Sequence, residues 1–420
     1  MLPVSAADGQ ITPFLDALFT AASASCVTGL VTVSTAVHWS VFGKCVILLL
    51  IQIGGLGFMS VAAIASFVLR RTITLHERMV MSAGLNLSDG GGIVRLTRRV
   101  LFGTFIIEGT GAVLLSCRFV PHYGFPKGIT MGVFHAVSAF CNAGFDLMGT
   151  PDDPFQSLIG WAEDPLVNIT VMALIVLGGL GFFVWSDVWD KHSFCRLRLH
   201  TKIVLTATAG LLLFGFGWTL LFEWSNPATL GAFDTPHKLL AAAFESVTLR
   251  TAGFNTIDLG ALTGPSQAVS CLLMFIGGSP GSTAGGIKTV TAAVLVLTAI
   301  SAFCGRTTVS AFGRTIAPRS IMNAVTLLMA GGVLCLVGAC AIAGIEDAPF
   351  HQCLFEAVSA FGTVGVSMGL TPTLAAASRV ILIVMMYMGR VGVLTLGVAV
   401  FMRRREPPRL KYPDADVFIG

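Results

Sequence analysis

Residues 355–366 read FEAVSAFGTVGV, and three other segments of the chain repeat this pattern. They are FTAASASCVTGL at 19–30, FHAVSAFCNAGF at 134–145 and FESVTLRTAGF at 244–254, the last being one residue shorter. The closing glycines Gly29, Gly144, Gly253 and Gly365 recur at intervals of about 110 residues, well above the 20 to 50 residues of solenoid repeats. The pattern indicates that one large unit has been duplicated.

Each segment is an amphipathic stretch of about a dozen residues, which is too short to span a bilayer. Small and polar residues follow it, and then a long apolar run, a pattern typical of a re-entrant hairpin. Two spans separate successive copies, so every copy enters the membrane from the same side, whereas inverted repeats need an odd number of spans per unit. We expect an all-α integral membrane fold with four span–pore helix–span units around a central pore.

The composition supports a membrane protein. The chain is 54% hydrophobic and only 11% charged, with a mean hydropathy of +0.82, whereas soluble domains carry roughly 25% charged residues. We predict seven candidate spans: 40–69, 100–117, 166–185, 203–222, 268–276 continued by 290–303, 321–345 and 380–402.

The repeats divide the chain into four units at 1–70, 71–190, 191–305 and 306–403, with a tail at 404–420. The first unit has no room for an outer span before its pore helix, and Met1, Leu2 and Pro3 resemble the end of such a span. We therefore expect an alternative or misassigned start, and a native polypeptide longer by roughly 20 to 40 residues.

Basic and acidic loops alternate along the chain. Lys and Arg concentrate at 70–99, 191–202, 306–319 and 403–411, whereas Asp and Glu occupy 152–164, 223–234 and 346–347. Because short basic loops stay in the cytoplasm, we expect the basic loops and the C-terminus inside and the pore entrance outside a bacterial inner (plasma) membrane. A nucleic-acid partner is disfavoured, since the basic residues lie in separate loops between apolar spans. The ten cysteines form no C-x-x-C pair, so neither disulfides nor a metal cluster is expected.

The residues that close the four repeated segments predict a cation filter. A partly dehydrated K⁺ exchanges its water for backbone carbonyls, and directing consecutive carbonyls to one axis needs backbone angles that glycine tolerates. Glycines that serve helix packing or turns are the alternative, but four copies at equivalent positions favour a filter. The predicted carbonyl donors are Val27, Thr28, Gly29, Asn142, Ala143, Gly144, Thr251, Ala252, Gly253, Thr363, Val364 and Gly365.

A glycine-rich echo follows each filter segment, at 54–57, 178–181, 277–281 and 389–392. The third copy contains Pro280 among glycines, so we expect the inner span to break there and to lie under the filter as a gate. It is not a phosphate-binding loop, because Lys288 falls one residue too late for that pattern. The predicted gate residues are Gly277, Gly278, Ser279, Pro280, Gly281, Ser282, Thr283, Ala284, Gly285, Gly286 and Arg390.

Arg390 has apolar sequence on both sides, and a guanidinium at membrane depth is costly unless it is paired or hydrated. We expect it to face the pore axis or the broken segment, although snorkelling or structural pairing remains an alternative. For Glu108 and Asp187 we expect interhelix pairing more than ion binding.

Together these motifs resemble the Trk/Ktr/HKT superfamily of K⁺ transporters, most closely the membrane subunit of the bacterial Ktr system. The matching stretches include SASCVTGL, VSAFCNAGFD, TLRTAGFNT, GGSPGSTAGGIKT and MGRVGVLTLG, and they cover essentially the whole chain. The resemblance implies the filter and gate assigned above. It also implies a homodimer that works with a separate cytosolic nucleotide-binding regulatory ring. In HKT relatives a serine at the first filter position accompanies Na⁺ transport, so Gly29 favours K⁺.

The expected function is therefore K⁺ uptake, with K⁺ as the only metal and membrane lipids as further partners. Passage of Na⁺, or coupling of Na⁺ to K⁺, remains open. A membrane-embedded enzyme is disfavoured, since none of the eight histidines joins a nucleophile or a metal-binding set, and no cofactor is expected in this chain.

Overall fold

The computed structural model describes residues 1–57 and 93–392, which are mainly helical with almost no strand. The second half of span 40–69, the basic segment 70–92, the end of span 380–402 and the tail 404–420 lie outside the described residues. The helices are α1 Phe14–Cys26, α2 Val41–Leu56, α3 Ile93–Tyr123, α4 Phe125–Phe140, α5 Pro165–Leu180, α6 Phe182–Lys191, α7 Leu199–Glu223, α8 Thr235–Thr248, α9 Gly264–Phe275, α10 Thr289–Phe303, α11 Pro318–Ile345, α12 Phe350–Gly362 and α13 Ala376–Val391. A two-residue hairpin pairs β1 Ser310–Ala311 with β2 Arg314–Thr315, and short 3₁₀ turns lie at Pro3–Ser5, Ile159–Trp161, Phe194–Arg196, Leu230–Ala232, Leu259–Ala261 and Thr371–Thr373.

Within the described ranges 1–57 and 93–392, three helices are long and apolar enough to cross a membrane, namely α3, α7 and α11. They contain the predicted runs 100–117, 203–222 and 321–345. Their apolar windows are only 28 to 39% buried within the chain, so most of their surface is available to lipid.

Four short helices of 13 to 16 residues, α1, α4, α8 and α12, coincide with the four repeated segments. The phenylalanine that begins each segment is buried, at Phe19, Phe134, Phe244 and Phe355. Each of the long helices packs on the short helix that follows it: α3 on α4, α7 on α8 and α11 on α12. Helix α1 instead packs against α2 and α13.

The first, second and fourth glycine echoes end helices, a role that the sequence analysis did not assign to them. Run 166–185, predicted as one span, is bent within its length: α5 ends at Leu180, and α6 leaves at an angle of 92°. Between them Gly181 adopts φ +93°, a left-handed conformation that residues with a Cβ avoid. Gly57 and Gly392 end α2 and α13 with φ +78° and +91°.

The third inner segment contains a non-helical stretch, here named the broken loop (276–288), between the end of α9 at Phe275 and the start of α10 at Thr289. Pro280 has no amide hydrogen to donate, and the flanking glycines disfavour a helix. The loop bonds to the end of α5 instead, because Ser279 N donates to Gly179 O over 3.0 Å and Phe182 N donates to Gly281 O over 2.9 Å.

Candidate functional site

Gly29, Gly144, Gly253 and Gly365 lie next to one another in a closed ring, here named the glycine ring. A Cβ added to Gly29 would lie 2.5 Å from Ala143 O, one on Gly144 2.6 Å from Gly253 Cα, and one on Gly253 2.7 Å from Val364 O. A Cβ on Gly365 would overlap Thr28 O, which closes the ring from the fourth unit to the first. Any side chain at these positions would therefore collide with the backbone of a neighbouring loop.

In each loop of the ring, two residues with positive φ flank one residue whose φ is not positive. The glycines have φ between +68° and +94°, and the non-glycine residues two positions earlier also have positive φ: Val27 +58°, Asn142 +58°, Thr251 +70° and Thr363 +51°. Such a reversal at alternate residues can direct consecutive carbonyls to one side, whereas an ordinary strand alternates them. The sequence analysis assigned unusual backbone angles to glycine alone and missed these four residues.

The carbonyl ends of the four short helices lead directly into the ring. Helices α1, α4, α8 and α12 end at Cys26, Phe140, Thr248 and Gly362, within a few residues of the ring glycines, and none has a basic residue in its last turn. Because the C-terminus of a helix carries a partial negative charge, this arrangement favours a cation at the ring.

A row of hydroxyls braces the loops that form the ring. Ser138 Oγ donates to Phe145 O and Ser359 Oγ to Val366 O, each over 2.7 Å, and Thr248 Oγ1 donates to Phe254 O. In the first unit Gly29 N donates to Ser23 Oγ over 3.1 Å. The sequence analysis missed this row, although a hydroxyl six residues before the glycine, or five in the shortened third copy, was a signal that could have revealed it.

A second polar row ties the short helices to the loops beyond the ring. Leu147 N donates to His135 Nε2 over 3.2 Å. Glu356 accepts bonds from Ser367 Oγ over 2.5 Å and Thr371 Oγ1 over 2.6 Å. These contacts make His135 and Glu356 structural supports of the ring.

On the side of the ring away from the broken loop lies a cavity of about 370 Å³, here named the vestibule, lined by the ring glycines and the loops that follow them. Three carboxylates, Asp146, Asp153 and Asp258, line it, and no Lys or Arg is among its lining residues. Burial raises the pKa of Asp146 to about 6, although its bond from Met148 N favours the charged form. The vestibule is therefore negatively charged at neutral pH.

On the opposite side, Arg390 joins three parts of the chain. Its guanidinium donates to Thr283 O in the broken loop and to Gly54 O, and more weakly to Gly55 O over 3.4 Å, at the end of α2. The hydroxyl of Thr283 in turn donates over 3.3 Å to Phe140 O, where α4 ends beneath the ring. Arg390 thus lies against the broken loop, one of the two positions expected from the sequence.

The remaining predicted residues have the following surroundings. The twelve predicted carbonyl donors are buried, except for Gly365, which is partly exposed. In the broken loop Lys288 Nζ donates to Ala284 O over 2.7 Å. Glu108 accepts from Gln52 Nε2 over 3.2 Å, which links α3 to α2, and Asp187 forms an ion pair with Lys191 over 2.9 Å.

A family model described as TrkH, cation transport protein, matches residues 2–406. The chain belongs to this family. It is 40% identical over 424 residues to potassium/sodium uptake protein NtpJ of Enterococcus hirae, and 41% identical over 420 residues to Ktr system potassium uptake protein B of Bacillus subtilis. Each match covers 100% of this chain and 92% of the relative. The resemblance noted from the motifs is thereby confirmed.

The crystal structure of the potassium transporter TrkH from Vibrio parahaemolyticus has a similar fold, with a TM-score of 0.71 over 93% of this chain and 79% of that one. At 16% sequence identity this likeness concerns the fold alone. The matching family model is one of cation transport proteins, and the described residues of this chain contain several apolar helices, so the expectation of a membrane protein that is not an enzyme is confirmed.

Proposed function

We propose that this chain takes up K⁺ across the plasma membrane through the glycine ring, with the vestibule facing outward. The observation that carries the proposal is the ring itself, in which paired left-handed residues bring four backbone loops together with no room for side chains. The relatives named as potassium uptake proteins support K⁺ as the substrate. The proposed ligands are the carbonyl oxygens of Val27, Thr28, Gly29, Asn142, Ala143, Gly144, Thr251, Ala252, Gly253, Thr363, Val364 and Gly365.

The physical basis is electrostatic. Vestibule carboxylates raise the local concentration of cations. Backbone carbonyls then replace the hydration shell of K⁺ without adding a fixed charge, and four helix C-termini favour the ion there. In this proposal the four units expected from the repeats form the pore together.

The gate in this proposal is the part of the broken loop from Gly277 to Gly286, which Arg390 holds in place. The guanidinium fixes Thr283 under the ring by bonding at once to the loop and to the end of α2. Release of this contact would let the loop withdraw from the pathway. We propose that a cytosolic nucleotide-binding ring, acting on a homodimer of this chain from its basic side, controls that release.

Na⁺ passage, or coupling of Na⁺ to K⁺, is the second candidate, and one relative is named a potassium/sodium uptake protein. Gly29 favours K⁺, because in the resembling HKT proteins a serine at that position accompanies Na⁺ transport. Parallel K⁺ and Na⁺ flux measurements in liposomes separate the two candidates.

The test compares Gly253→Ala with a matched control, Gly210→Ala. A Cβ at Gly253 meets Val364 O at 2.7 Å, whereas one at Gly210 on α7 has no neighbouring atom within 4 Å. We expect the native chain and Gly210→Ala to restore Rb⁺ uptake in cells lacking other K⁺ systems, and Gly253→Ala to abolish it or to admit Na⁺. Equal amounts of protein in the membrane exclude misfolding. Failure of the native chain to restore uptake, or unchanged selectivity in Gly253→Ala, would contradict the proposal.

A further inference from the structure

Beneath the glycine ring, the side chain of Asn142 lies in a slot between α5 and the broken loop. A Cβ added to Gly178 would overlap Phe140 O and would lie 2.9 Å from Asn142 Oδ1 and 3.0 Å from Thr283 Oγ1. Gly178 belongs to the second glycine echo, and its lack of a side chain makes room for the amide. Asn142 itself is only 1% exposed. The surrounding elements thus form a fitted site for this one amide.

Both ends of the Asn142 amide have polar neighbours. One end lies 3.2 Å from Thr251 Oγ1 in the third loop of the ring, and the other lies 3.3 Å from Thr283 Oγ1 in the broken loop. Because a hydroxyl can donate or accept, both contacts can persist whichever end carries the nitrogen. With the nitrogen toward the broken loop, the amide also donates to Phe140 O over 3.3 Å and to Ile175 O over 3.2 Å. The amide is therefore fixed by α5, the broken loop and the third loop of the ring.

The bond between Asn142 and Thr251 joins two loops of the ring beneath the glycines. Within residues 1–57 and 93–392, no other side-chain hydrogen bond joins one of the loops 27–29, 142–144, 251–253 and 363–365 directly to another. The hydroxyl braces described above act inside single units. The ring is therefore asymmetric, because only its second and third loops are tied together by side chains.

We propose that the side chain of Asn142 is a positioning residue that fixes the spacing of the second and third loops and thereby favours K⁺ over Na⁺. This inference rests on the proposed function, in which backbone carbonyls of both loops are K⁺ ligands. Na⁺ is the smaller ion, so carbonyl oxygens must approach one another more closely to replace its hydration shell. That movement would break buried hydrogen bonds of the Asn142 amide, and a buried polar group that loses its partner is costly.

Flux in liposomes tests this role with substitutions of Thr251. Thr251→Val removes the hydroxyl and keeps the β-branched shape. We expect its ratio of K⁺ to Na⁺ flux to fall about two- to tenfold, the range that corresponds to one hydrogen bond. The half-saturating K⁺ concentration should rise, with a smaller effect on maximal K⁺ flux. Thr251→Ser restores the hydroxyl and should recover most of the lost ratio.

Thr206→Val is the matched control, since the Thr206 hydroxyl donates to Lys202 O of its own helix. We expect it to keep the native ratio and the native half-saturating concentration. Native values of both quantities in Thr251→Val would overturn the inference, and so would an equal loss in Thr251→Ser.

Asn142→Gly removes the bond from its other side, because glycine accepts the left-handed angle without an amide. Combined with Thr251→Val it should lose no more selectivity than Asn142→Gly alone, whereas additive losses would contradict a shared bond. A second measurement needs no flux: the rise in melting temperature of the purified chain when Na⁺ is replaced by K⁺ should shrink in both single variants. No K⁺ flux through the native chain would refute the proposed function. Native K⁺ flux with unchanged selectivity in both variants would refute this inference alone.

Discussion

At the scale of single residues, the ring depends on four positions where the sequence gives no obvious warning. Val27, Asn142, Thr251 and Thr363 adopt left-handed angles, a conformation that costs a β-branched residue of the order of 1 kcal/mol or more. The hydroxyl braces and the tight contacts of the ring hold them there. The cost is borne on folding, so under the proposed function the ring is prepared for K⁺ before the ion arrives.

If cations enter through the vestibule as proposed, Asp146 should make uptake depend on external pH. Its raised pKa of about 6 means that the carboxylate is charged above that pH and becomes neutral as the pH falls through it. We expect uptake at low K⁺ to fall about two- to threefold between external pH 7.5 and 5, because the vestibule loses one of its three negative charges. Asp146→Asn keeps an acceptor for Met148 N and should show the reduced uptake at both pH values. A variant with the same pH profile as the native chain would show that another group titrates.

The glycine positions of the ring were predictable because they recur four times, and so was the neighbourhood of Arg390 and the broken loop. The side chains that support the ring were not predictable in this way. Ser138, Ser359 and Glu356 resemble any polar residue of an amphipathic helix, and only the folded chain shows which backbone groups they bind. The left-handed residues were unpredictable for the opposite reason, since tertiary contacts override the local preference of valine and threonine.

At the scale of elements, the glycine echoes determine where the inner helices stop. Gly57, Gly181 and Gly392 each have a positive φ at the end of a helix, and at Gly181 the apolar run 166–185, which looks continuous in the sequence, is bent. Hydropathy identifies apolar segments, but it is insensitive to a single left-handed glycine within one. The 92° turn after α5 was missed for this reason.

Arg390 couples three of these elements, and its removal should open the pathway. Arg390→Gln loses the charge-assisted bonds to Thr283 O and Gly54 O. Since one such bond contributes about 1.5 to 3 kcal/mol, we expect K⁺ flux without the regulatory partner to rise about tenfold or more. Flux from purified protein in liposomes measures this, and Arg390→Lys, which keeps the charge, should be intermediate. Unchanged flux in Arg390→Gln would mean that the broken loop is only structural.

At the scale of the whole molecule, the first and last units are joined by a partly buried ion pair. Arg379 at the start of α13 contacts Asp16 of α1 over 2.6 Å, and Thr32 Oγ1 donates to the same carboxylate oxygen over 2.9 Å. The two residues are 363 positions apart in the sequence. No repeat pattern predicts this contact, because it belongs to the closure of the ring and to neither unit alone.

Removal of this pair should destabilise the fold more than removal of an exposed one. Arg379→Met leaves the Asp16 carboxylate largely buried, so we expect a loss of about 2 to 3 kcal/mol, below the 3 to 5 typical of fully buried pairs. Arg99→Met is the control, since Arg99 and Asp190 are about half exposed and should contribute less than about 1 kcal/mol. Thermal unfolding of the purified proteins in detergent compares them. Equal melting temperatures for the two variants would contradict a closing role for Arg379.

The four loops of the glycine ring belong to one polypeptide, and this has a consequence for how such a pore can change over generations. The residues between the paired left-handed positions, Thr28, Ala143, Ala252 and Val364, are of three types, although the backbone of each approaches a ring glycine of a neighbouring loop. A single codon change therefore alters one quarter of the ring and leaves three quarters intact. In a pore made of four identical chains, the same codon change would alter all four positions at once. Selection can thus adjust ion preference in small, separable steps.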